Sequence, residues 1–364
     1  MEFGLSEDQR LMQDSVRRTL DKVSSLERVR IAANAHDPKA LDVWHALVEL
    51  GVPGLLIAEE YGGMGLALLD AALIAEELGR FVAPVPYVAS AVMVPLALAA
   101  LGSEKQKETW LPKLASGDIV AGIAISERAA GARDGSGVTA GADGKLSGKS
   151  LFVLDFGAAD IFVVADKTGA LHLVDAKAKG LAKVALTTID LTRSVGELQF
   201  DNVEAEPLIS GDAKAGLLRV LDAGRVMLAA DTLGAGWMMI DKAVEYAKER
   251  KQFGRVIGSF QAVKHMCADM ASELEPGRSL VWYAAYAFDE IPGEATLMAS
   301  HAKSYLSEVG RFVARTATEV HGGMGFTDLL GLHFWFKRIG LDRQLLGSPE
   351  RVRDEAAALQ GWGQ

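Results

Sequence analysis

The sequence predicts an α+β protein in which a β-domain stands between two helical parts. Apolar residues recur at helical spacing before residue 119, and the same periodicity returns from about Ala213 and holds to the end of the chain. Between residues 119 and 208, short apolar runs alternate with Gly, Asp and Lys, which predicts an antiparallel β-domain resembling a small barrel or sandwich. We therefore expect an N-terminal helical domain, a middle β-domain and a C-terminal helical domain, at 1–118, 119–210 and 211–364.

Composition and charge exclude several classes of protein. With 364 residues, 49% of them hydrophobic, the chain can bury a large core. The 38 Lys and Arg against 48 Asp and Glu give a net charge of −10, which argues against a general binder of nucleic acid or of anionic membranes. The single cysteine, Cys267, excludes an internal disulfide framework and a cysteine-rich metal site, and we expect no metal.

Residues 81–102 carry no charge and could be mistaken for a membrane span. Pro84, Pro86 and Pro95 interrupt the run, and no basic flank marks an orientation, so we expect a buried helix and no membrane span. The N-terminus lacks a basic segment followed by an apolar run. We therefore expect no secretory signal and a soluble, cytoplasmic protein.

The N-terminal part contains recognisable helix starts and stops. Ser6-Glu7-Asp8-Gln9 has the form of a capping box and predicts a helix that begins near Glu7. Further helices are expected at 41–50 and at 68–78. The glycine-rich stretch between them, 52–67, matches neither the Walker pattern nor GxGxxG after a strand, so we expect a turn rather than a phosphate-binding loop.

Residues 222–261 begin with one long helix, which gathers cations toward its C-terminal end and which Gly254 is expected to stop. A short loop and a second helix follow. A basic helix end beside Phe253 and a glycine-flanked turn could grip a phosphate-bearing ligand. A solvated helix terminus with an ordinary turn would give the same pattern.

Three motifs in the chain resemble those of one enzyme family. They are RKQFG at 250–254 followed by GSFQ at 258–261, MEFGLSEDQRLMQDSVRRTL at 1–20, and HGGMGF at 321–326. In this order, across nearly the whole chain, they resemble the acyl-CoA dehydrogenase family. The resemblance implies a dimer or tetramer built from N-terminal helices, a β-domain and a C-terminal four-helix bundle. It also implies FAD as the cofactor and an acyl-CoA as the substrate.

The resemblance implies contacts to FAD from five parts of the chain. Ser126, where the family usually has Thr, would donate to the flavin pyrimidine ring, and Phe152 would stack on the ring. Arg250, with its fixed fork of donors, suits the ADP half of an FAD bound mainly by a neighbouring subunit. The remaining contacts are expected from Gln252, Phe253, Gln261, His321, Gly322, Gly323 and Gly347.

The family's catalytic base is a Glu at one of two positions, and this chain has a Glu at neither. The two positions correspond to Gly224 and Leu346, which cannot accept a proton. Asp231, two turns beyond Gly224, is either a replacement base or a carboxylate bonded to its surroundings, and we favour the second. Asp222 and Arg225 correspond to family residues close to the CoA thioester, although such a helix pair is by default a surface salt bridge.

The resemblance implies α,β-dehydrogenation of an acyl-CoA thioester, in fatty acid or steroid side-chain β-oxidation, with electrons passed to an electron-transferring flavoprotein. Two explanations account for the missing Glu. Either a homologous acyl-CoA dehydrogenase subunit supplies the base within a heterotetramer, or a homo-oligomer uses an unusual base or different flavin chemistry. The sequence Leu345-Leu346-Gly347 recurs in heteromeric members and favours the first.

Two other classes of function compete with an enzyme subunit. In one, the chain is a non-catalytic structural subunit that stabilises a catalytic partner and donates only the FAD contacts that cross the interface. In the other, the chain is a purely helical scaffold that binds no ligand. A flavin spectrum of the purified protein would separate a flavoprotein from the scaffold.

Overall fold

The N-terminal domain is helical, as expected. The structure, a computed structural model, describes residues 4–35 and 40–362. The capping box at the first helix is present: Ser6 Oγ accepts from the backbone NH of Gln9 at 3.1 Å, and Gln9 Oε1 accepts from Ser6 N at 3.0 Å. The helix expected at 41–50 ends earlier, at Val48. The helices are α1 (Glu7–Val23), α2 (Leu26–Asn34), α3 (Leu41–Val48), α4 (Leu68–Arg80), α5 (Val94–Leu101) and α6 (Glu104–Ala115).

The uncharged segment 81–102 lies mostly in the core. Within it, Val88–Met93 form a π-helix that continues directly into α5, and every residue of the π-helix is buried. The β-domain holds this π-helix in place, because Ala89 N donates to the buried Asp155 Oδ2 at 2.7 Å. No helix in the described ranges is long and apolar enough to cross a membrane.

The middle domain is one open, mixed sheet rather than an antiparallel barrel or sandwich. Its strands are β1 (Ala121–Ala124), β2 (Gly137–Ala140), β3 (Leu146–Leu154), β4 (Ile161–Ala165), β5 (Leu171–Asp175), β6 (Leu181–Ala185), β7 (Val195–Val203) and β8 (Glu206–Leu208). Their order is β6-β7-β3-β1-β4-β5-β8, with β2 paired to β3, and β1 runs parallel to β4. The expectation of an antiparallel domain is therefore wrong at this pair. Strand length and spacing predict strands, but not which strand each one pairs with.

The C-terminal domain is built from three long helices closed by two short ones. The long helices are α8 (Ala213–Glu249), α9 (Gln261–Glu290) and α10 (Pro292–His321), and the short ones are α11 (Leu332–Asp342) and α12 (Pro349–Leu359). The short helix α7 (Ser126–Ala130) belongs to the β-domain. Helices α8, α9 and α10 pack on one another, and α11 and α12 pack against α10.

Helix α8 ends at Glu249, five residues before the expected stop at Gly254. The next residues form a hairpin of β9 (Lys251–Gln252) and β10 (Arg255–Val256). Phe253 and Gly254 make its two-residue turn, with φ values of +54° and +77°. Two positive φ angles in succession match the turn type that the right-handed twist of a tight hairpin favours. The glycine therefore serves the hairpin turn rather than the helix end.

Helix α4 joins the N-terminal domain to the bundle through a backbone contact with α8. A Cβ built on Gly234 would lie 1.8 Å from the carbonyl oxygen of Glu76, and a Cβ on Gly79 would lie 1.9 Å from that of Asp231. Neither neighbour is the flexible end of a side chain. The two helices therefore pack this closely only because both positions are glycine.

We expect Gly234→Ala to destabilise the protein by about 1–3 kcal/mol, because the added methyl group must push α4 and α8 apart. Chemical unfolding followed by far-UV circular dichroism measures the change. Gly293→Ala is the matched control: Gly293 lies in α10 with open space around its Cα, and Ala is the better helix former. Equal stability of the two variants would contradict the backbone contact.

Candidate functional site

The two positions expected to carry the catalytic Glu meet at one point in the structure. Gly224 lies on α8, and Leu346 lies in the connection between α11 and α12. A Cβ built on Gly224 would lie 2.6 Å from Leu346 Cδ1 and 2.7 Å from Met93 Sδ. We call this point, bounded by these three residues, the 224/346 seat. The two side chains that fill the seat, Leu346 and Met93, are apolar and buried.

Asp222 and Arg225 flank the 224/346 seat, and the alternative of a surface salt bridge between them is wrong. They are 2% and 1% exposed. Arg225 donates through Nε to the carbonyl oxygen of Leu346 at 3.1 Å and through its terminal nitrogen to Glu355 at 2.6 Å. The partner of Asp222 is the hydroxyl of Thr296, at 2.7 Å. The two side chains point to different neighbouring helices, which is why they do not pair.

The carboxylate of Asp222 has one oxygen available. Its Oδ2 accepts from Thr296, whereas its buried Oδ1 has no hydrogen-bond partner among the described residues. Burial raises the pKa of Asp222 to about 6, even though the Thr296 bond and the charge of Arg225 favour the ionised form. An unpartnered buried carboxylate oxygen is a strong acceptor for an incoming N–H or O–H group.

Asp231 lies in a buried ionic network. Both of its oxygens accept from Arg338, at 3.0 and 2.8 Å, and Arg193 lies 3.1 Å from Oδ2. Burial alone would raise the pKa of Asp231, but the charges of Arg338 and Arg193 outweigh burial and hold the pKa below its usual range. These contacts are those of a structural carboxylate, and they favour that alternative over a replacement base.

The residues expected at the flavin ring come together at the ends of β1 and β3. Ser126 begins α7 directly after β1, and Phe152 lies near the end of β3, which pairs with β1. Ser126 Oγ donates to the carbonyl oxygen of Phe152 at 2.9 Å, and Phe152 has a φ of +53°. A left-handed conformation in a bulky residue is strained and is commonly found at functional sites.

The flavin-ring residues and the 224/346 seat are neighbours. A Cβ built on Gly347 would lie 3.3 Å from the guanidinium of Arg225 and 3.5 Å from the carbonyl oxygen of Ala129 in α7. Gly347 itself has a φ of +107°, a conformation that favours glycine. Three parts of the chain, α7, α8 and the connection before α12, therefore converge on one place.

The residues expected at the ADP half of FAD lie on an exposed surface. Phe253, at the tip of the β9–β10 hairpin, is 92% exposed and meets the ring of Phe260 edge-on. Arg250 and Gln252 are exposed and make no side-chain hydrogen bond within the described part of the chain. Gln261 lies 3.2 Å from His265. This surface therefore offers unengaged donors and an aromatic ring to a neighbouring molecule.

The glycine motif that follows α10 is open, but its histidine faces inward. His321 is 5% exposed, its Nδ1 bonds the carbonyl oxygen of Ala317 at 2.7 Å, and its ring stacks on Tyr246 of α8. Burial lowers the pKa of His321, which favours the neutral ring. A Cβ on Gly322 or Gly323 would meet nothing within 4 Å. His321 thus anchors the motif to α8, whereas the backbone of Gly322 and Gly323 is open to a ligand.

Two separate sets of residues fit the two ends of FAD. The exposed hairpin and Arg250 directly before it supply an amide, an aromatic ring and a guanidinium. The two glycines leave main-chain NH groups accessible, and the whole set suits a pyrophosphate and an adenine. At the other end, Phe152 offers an apolar ring face. The hydroxyl proton of Ser126 is already donated to the carbonyl oxygen of Phe152, so Ser126 offers a ligand the acceptor lone pairs of its oxygen. Both sets therefore fit the chemistry of the cofactor.

Several residues at the site were not singled out from the sequence. Met93 lies in the uncharged segment that is interpreted as core, and nothing in that segment marks it as facing Gly224. Thr296 on α10 and Glu355 on α12 are polar residues of helices, and neither belongs to a motif of the family. Only the i, i+4 spacing of Arg351 and Glu355, which bond at 3.1 Å, indicates a charge cluster there. In the described ranges, no cluster of three or more His, Cys, Asp or Glu could hold a metal ion.

Comparison with known proteins identifies the family. Residues 6–118 match the N-terminal domain of acyl-CoA dehydrogenases, and residues 216–359 match their C-terminal domain. Acyl-CoA dehydrogenase IpdE2 of Mycolicibacterium smegmatis is 30% identical over 354 residues, covering 96% of this chain and 98% of the relative.

Two solved structures show the same architecture over the whole chain. The ChsE4-ChsE5 complex from Mycobacterium tuberculosis has a TM-score of 0.91 at 28% identity, covering 99% of each chain. The G363A variant of the Tcur3481-Tcur3483 steroid acyl-CoA dehydrogenase has a TM-score of 0.88 at 29% identity, covering 98% of each chain. The protein therefore belongs to the acyl-CoA dehydrogenase family, the FAD-dependent oxidoreductases that act on CH–CH bonds.

Proposed function

We propose that this chain is one subunit of a heteromeric acyl-CoA dehydrogenase, in which a homologous subunit supplies the catalytic base. The observation that carries the proposal is the 224/346 seat. Both positions where the family places its Glu face this one point, and Leu346 and Met93 fill it. A general base must accept a proton within hydrogen-bond reach of the substrate, and none of the three residues can do so.

The polar residues beside the seat suit a thioester ligand. Asp222 keeps one unpartnered oxygen that can accept an N–H from the amide-rich arm of an acyl-CoA. Arg225 would not bind the substrate directly, because it is engaged with Leu346 and Glu355. In this proposal Arg225 fixes the backbone of Leu346 at the edge of the site, whereas Asp222 contacts the substrate.

In the same proposal, Ser126 and Phe152 hold the flavin ring, and the exposed hairpin contacts the ADP half of an FAD in the adjacent subunit. When bound, FAD supplies the acceptor for the hydride that leaves the β-carbon, and the electrons then pass to an electron-transferring flavoprotein. The steroid acyl-CoA dehydrogenase and the two-component complex among the similar structures support a heteromer acting on a fatty acyl or steroid side-chain CoA thioester.

A second candidate function is a non-catalytic structural subunit. The unengaged donors of the β9–β10 hairpin favour it, because the chain could contribute these contacts to a partner's FAD without using its own apolar seat. The two candidates differ in FAD content. A chain that holds its own flavin ring gives two FAD per heterodimer, and a structural subunit gives one.

Co-expression with a homologous subunit that carries Glu at the position equivalent to Gly224 tests both candidates. We expect flavin absorbance that is bleached by acyl-CoA in the co-expressed complex, and no bleaching by this chain alone. Bleaching by the chain alone would instead support a homo-oligomer with a base of its own. A colourless protein in both preparations would reject the proposal.

Two substitutions then separate the subunit roles. Phe152→Ala removes the ring face of this chain's own flavin site, and Arg250→Ala removes the exposed guanidinium directly before the hairpin. If this chain holds a flavin ring, Phe152→Ala lowers the FAD content of the complex. If the chain is purely structural, only Arg250→Ala lowers it.

A further inference from the structure

The connection between α11 and α12 is held at its backbone by two cations. Lys303 Nζ, from α10, donates to the carbonyl oxygens of Asp342 and Arg343 at 2.6 and 3.1 Å. Arg225 Nε donates to the carbonyl oxygen of Leu346 at 3.1 Å. We call residues 342–347 the 342–347 segment. Both ends of this short stretch are therefore anchored to the long helices of the bundle.

The segment needs such anchoring because its backbone is unusual. Leu346 has a φ of +56°, a left-handed conformation that is unfavourable for a non-glycine residue, and Gly347 follows at +107°. A conformation of this kind persists only where the surroundings determine it. In this segment the conformation directs the Leu346 side chain at Gly224.

Lys303 is as deeply buried as Arg225. It is 1% exposed, and its third donor reaches Ser307 Oγ at 3.3 Å, so all three N–H groups have acceptors. Burial lowers the pKa of Lys303 to about 7, although the nearby carboxylate of Asp342 favours the charged form. A buried ammonium is costly, and it is tolerated here because every N–H group is satisfied.

The β-domain holds the same segment from the other side. Arg193, in the loop between β6 and β7, donates two bonds to the carboxylate of Asp342, at 2.7 and 3.3 Å. Asp342 thus receives Arg193 at its side chain and Lys303 at its carbonyl oxygen. The start of the segment is fixed between the sheet and the bundle.

We propose that Lys303 is a positioning residue that holds the 342–347 segment so that the side chain of residue 346 stays in the 224/346 seat. The importance of the seat for chemistry rests on the proposed function, but the placement of residue 346 does not. A merely structural lysine would stabilise the fold without controlling this one side chain.

Thiol reactivity at position 346 tests the proposal without flavin or substrate. In the full chain with Cys267→Ser, which removes the only native cysteine, Leu346→Cys places a thiol in the seat. We expect Lys303→Met to raise the rate of its reaction with 5,5′-dithiobis(2-nitrobenzoate) at least about tenfold under native conditions. Reaction of a buried thiol requires local opening, so the rate reports the freedom of the segment.

A second probe separates local release from general loosening. Ala284→Cys, also in the Cys267→Ser background, places a thiol in the buried face of α9. We expect Lys303→Met to change its rate by less than about twofold. Equal acceleration at both probes, or no acceleration at position 346, would overturn the proposal. Lys303→Leu, which likewise has no N–H donor in its side chain, provides the same comparison if Lys303→Met does not fold. Because no FAD is involved, failure of this test leaves the proposed function unaffected.

Discussion

Replacing Leu346 by glutamate is expected to give this chain a catalytic base of its own. The side chain at 346 already points at the 224/346 seat, and Gly224 leaves room for it because it has no Cβ. In the FAD-loaded protein, Leu346→Glu should accelerate flavin bleaching by a saturated acyl-CoA by about 10²–10⁴-fold, which is the usual contribution of a positioned base. Stopped-flow absorbance in the flavin band measures the rate.

Two variants control this experiment. Leu346→Gln has the same size and polarity without a proton acceptor, so it should remain inactive. Gly224→Glu should fail for a steric reason: its Cβ would lie 2.6 Å from Leu346 and 2.7 Å from Met93, which crowds the seat and lowers stability. If Leu346→Glu is no faster than Leu346→Gln, the seat is not where a substrate α-proton lies.

The pH dependence of the Leu346→Glu variant gives a further check. The seat is buried and apolar, so the pKa of the new carboxyl should lie above its ordinary value. Only the deprotonated carboxylate accepts a proton, and bleaching should therefore increase as the pH rises through this raised pKa. A rate that falls over the same pH range would be inconsistent with a base at 346.

Replacing Arg338 by methionine is expected to cost about 3–5 kcal/mol of folding free energy, because it leaves Asp231 buried without its main counter-ion. Arg338 is 1% exposed and links all three domains. It bonds Asp231 of the bundle, the hydroxyl of Thr192 in the β-domain at 3.0 Å, and the carbonyl oxygen of Ala83 in the N-terminal domain at 3.3 Å. Urea unfolding and the thermal midpoint measure the loss.

An exposed ion pair provides the matched control for Arg338. Arg315 pairs with Glu319 at 2.9 Å, but its side chain is 77% exposed. Arg315→Met should therefore change stability by less than about 1 kcal/mol. The double variant Arg338→Met with Asp231→Leu should be more stable than Arg338→Met alone, because it also removes the buried carboxylate that has lost its main counter-ion. A loss for Arg338→Met no larger than that for Arg315→Met would show that the network is not stabilising.

Much of the site could be recognised from the sequence, but its arrangement could not. The motif at 250–254 and the glycine motif at 321–326 identify the family, and the absence of Glu at Gly224 and Leu346 is readable directly. The sequence does not show that these two positions face each other, or that Met93 fills the space between them. Gly224 and Leu346 are separated by most of the C-terminal domain, so their contact depends on how α8, α10 and α11 pack.

The order of helical, β and helical parts, the family, and the absence of Glu at positions 224 and 346 can be read from the sequence alone, because residue periodicity and short motifs are local properties of the chain. Only the folded structure shows the parallel pairing of β1 with β4, the burial of Asp222 and Arg225, and the partners of Asp231. These depend on which distant segments pack together. A charged residue has the same identity in a surface salt bridge and in a buried network, and only its neighbours distinguish the two.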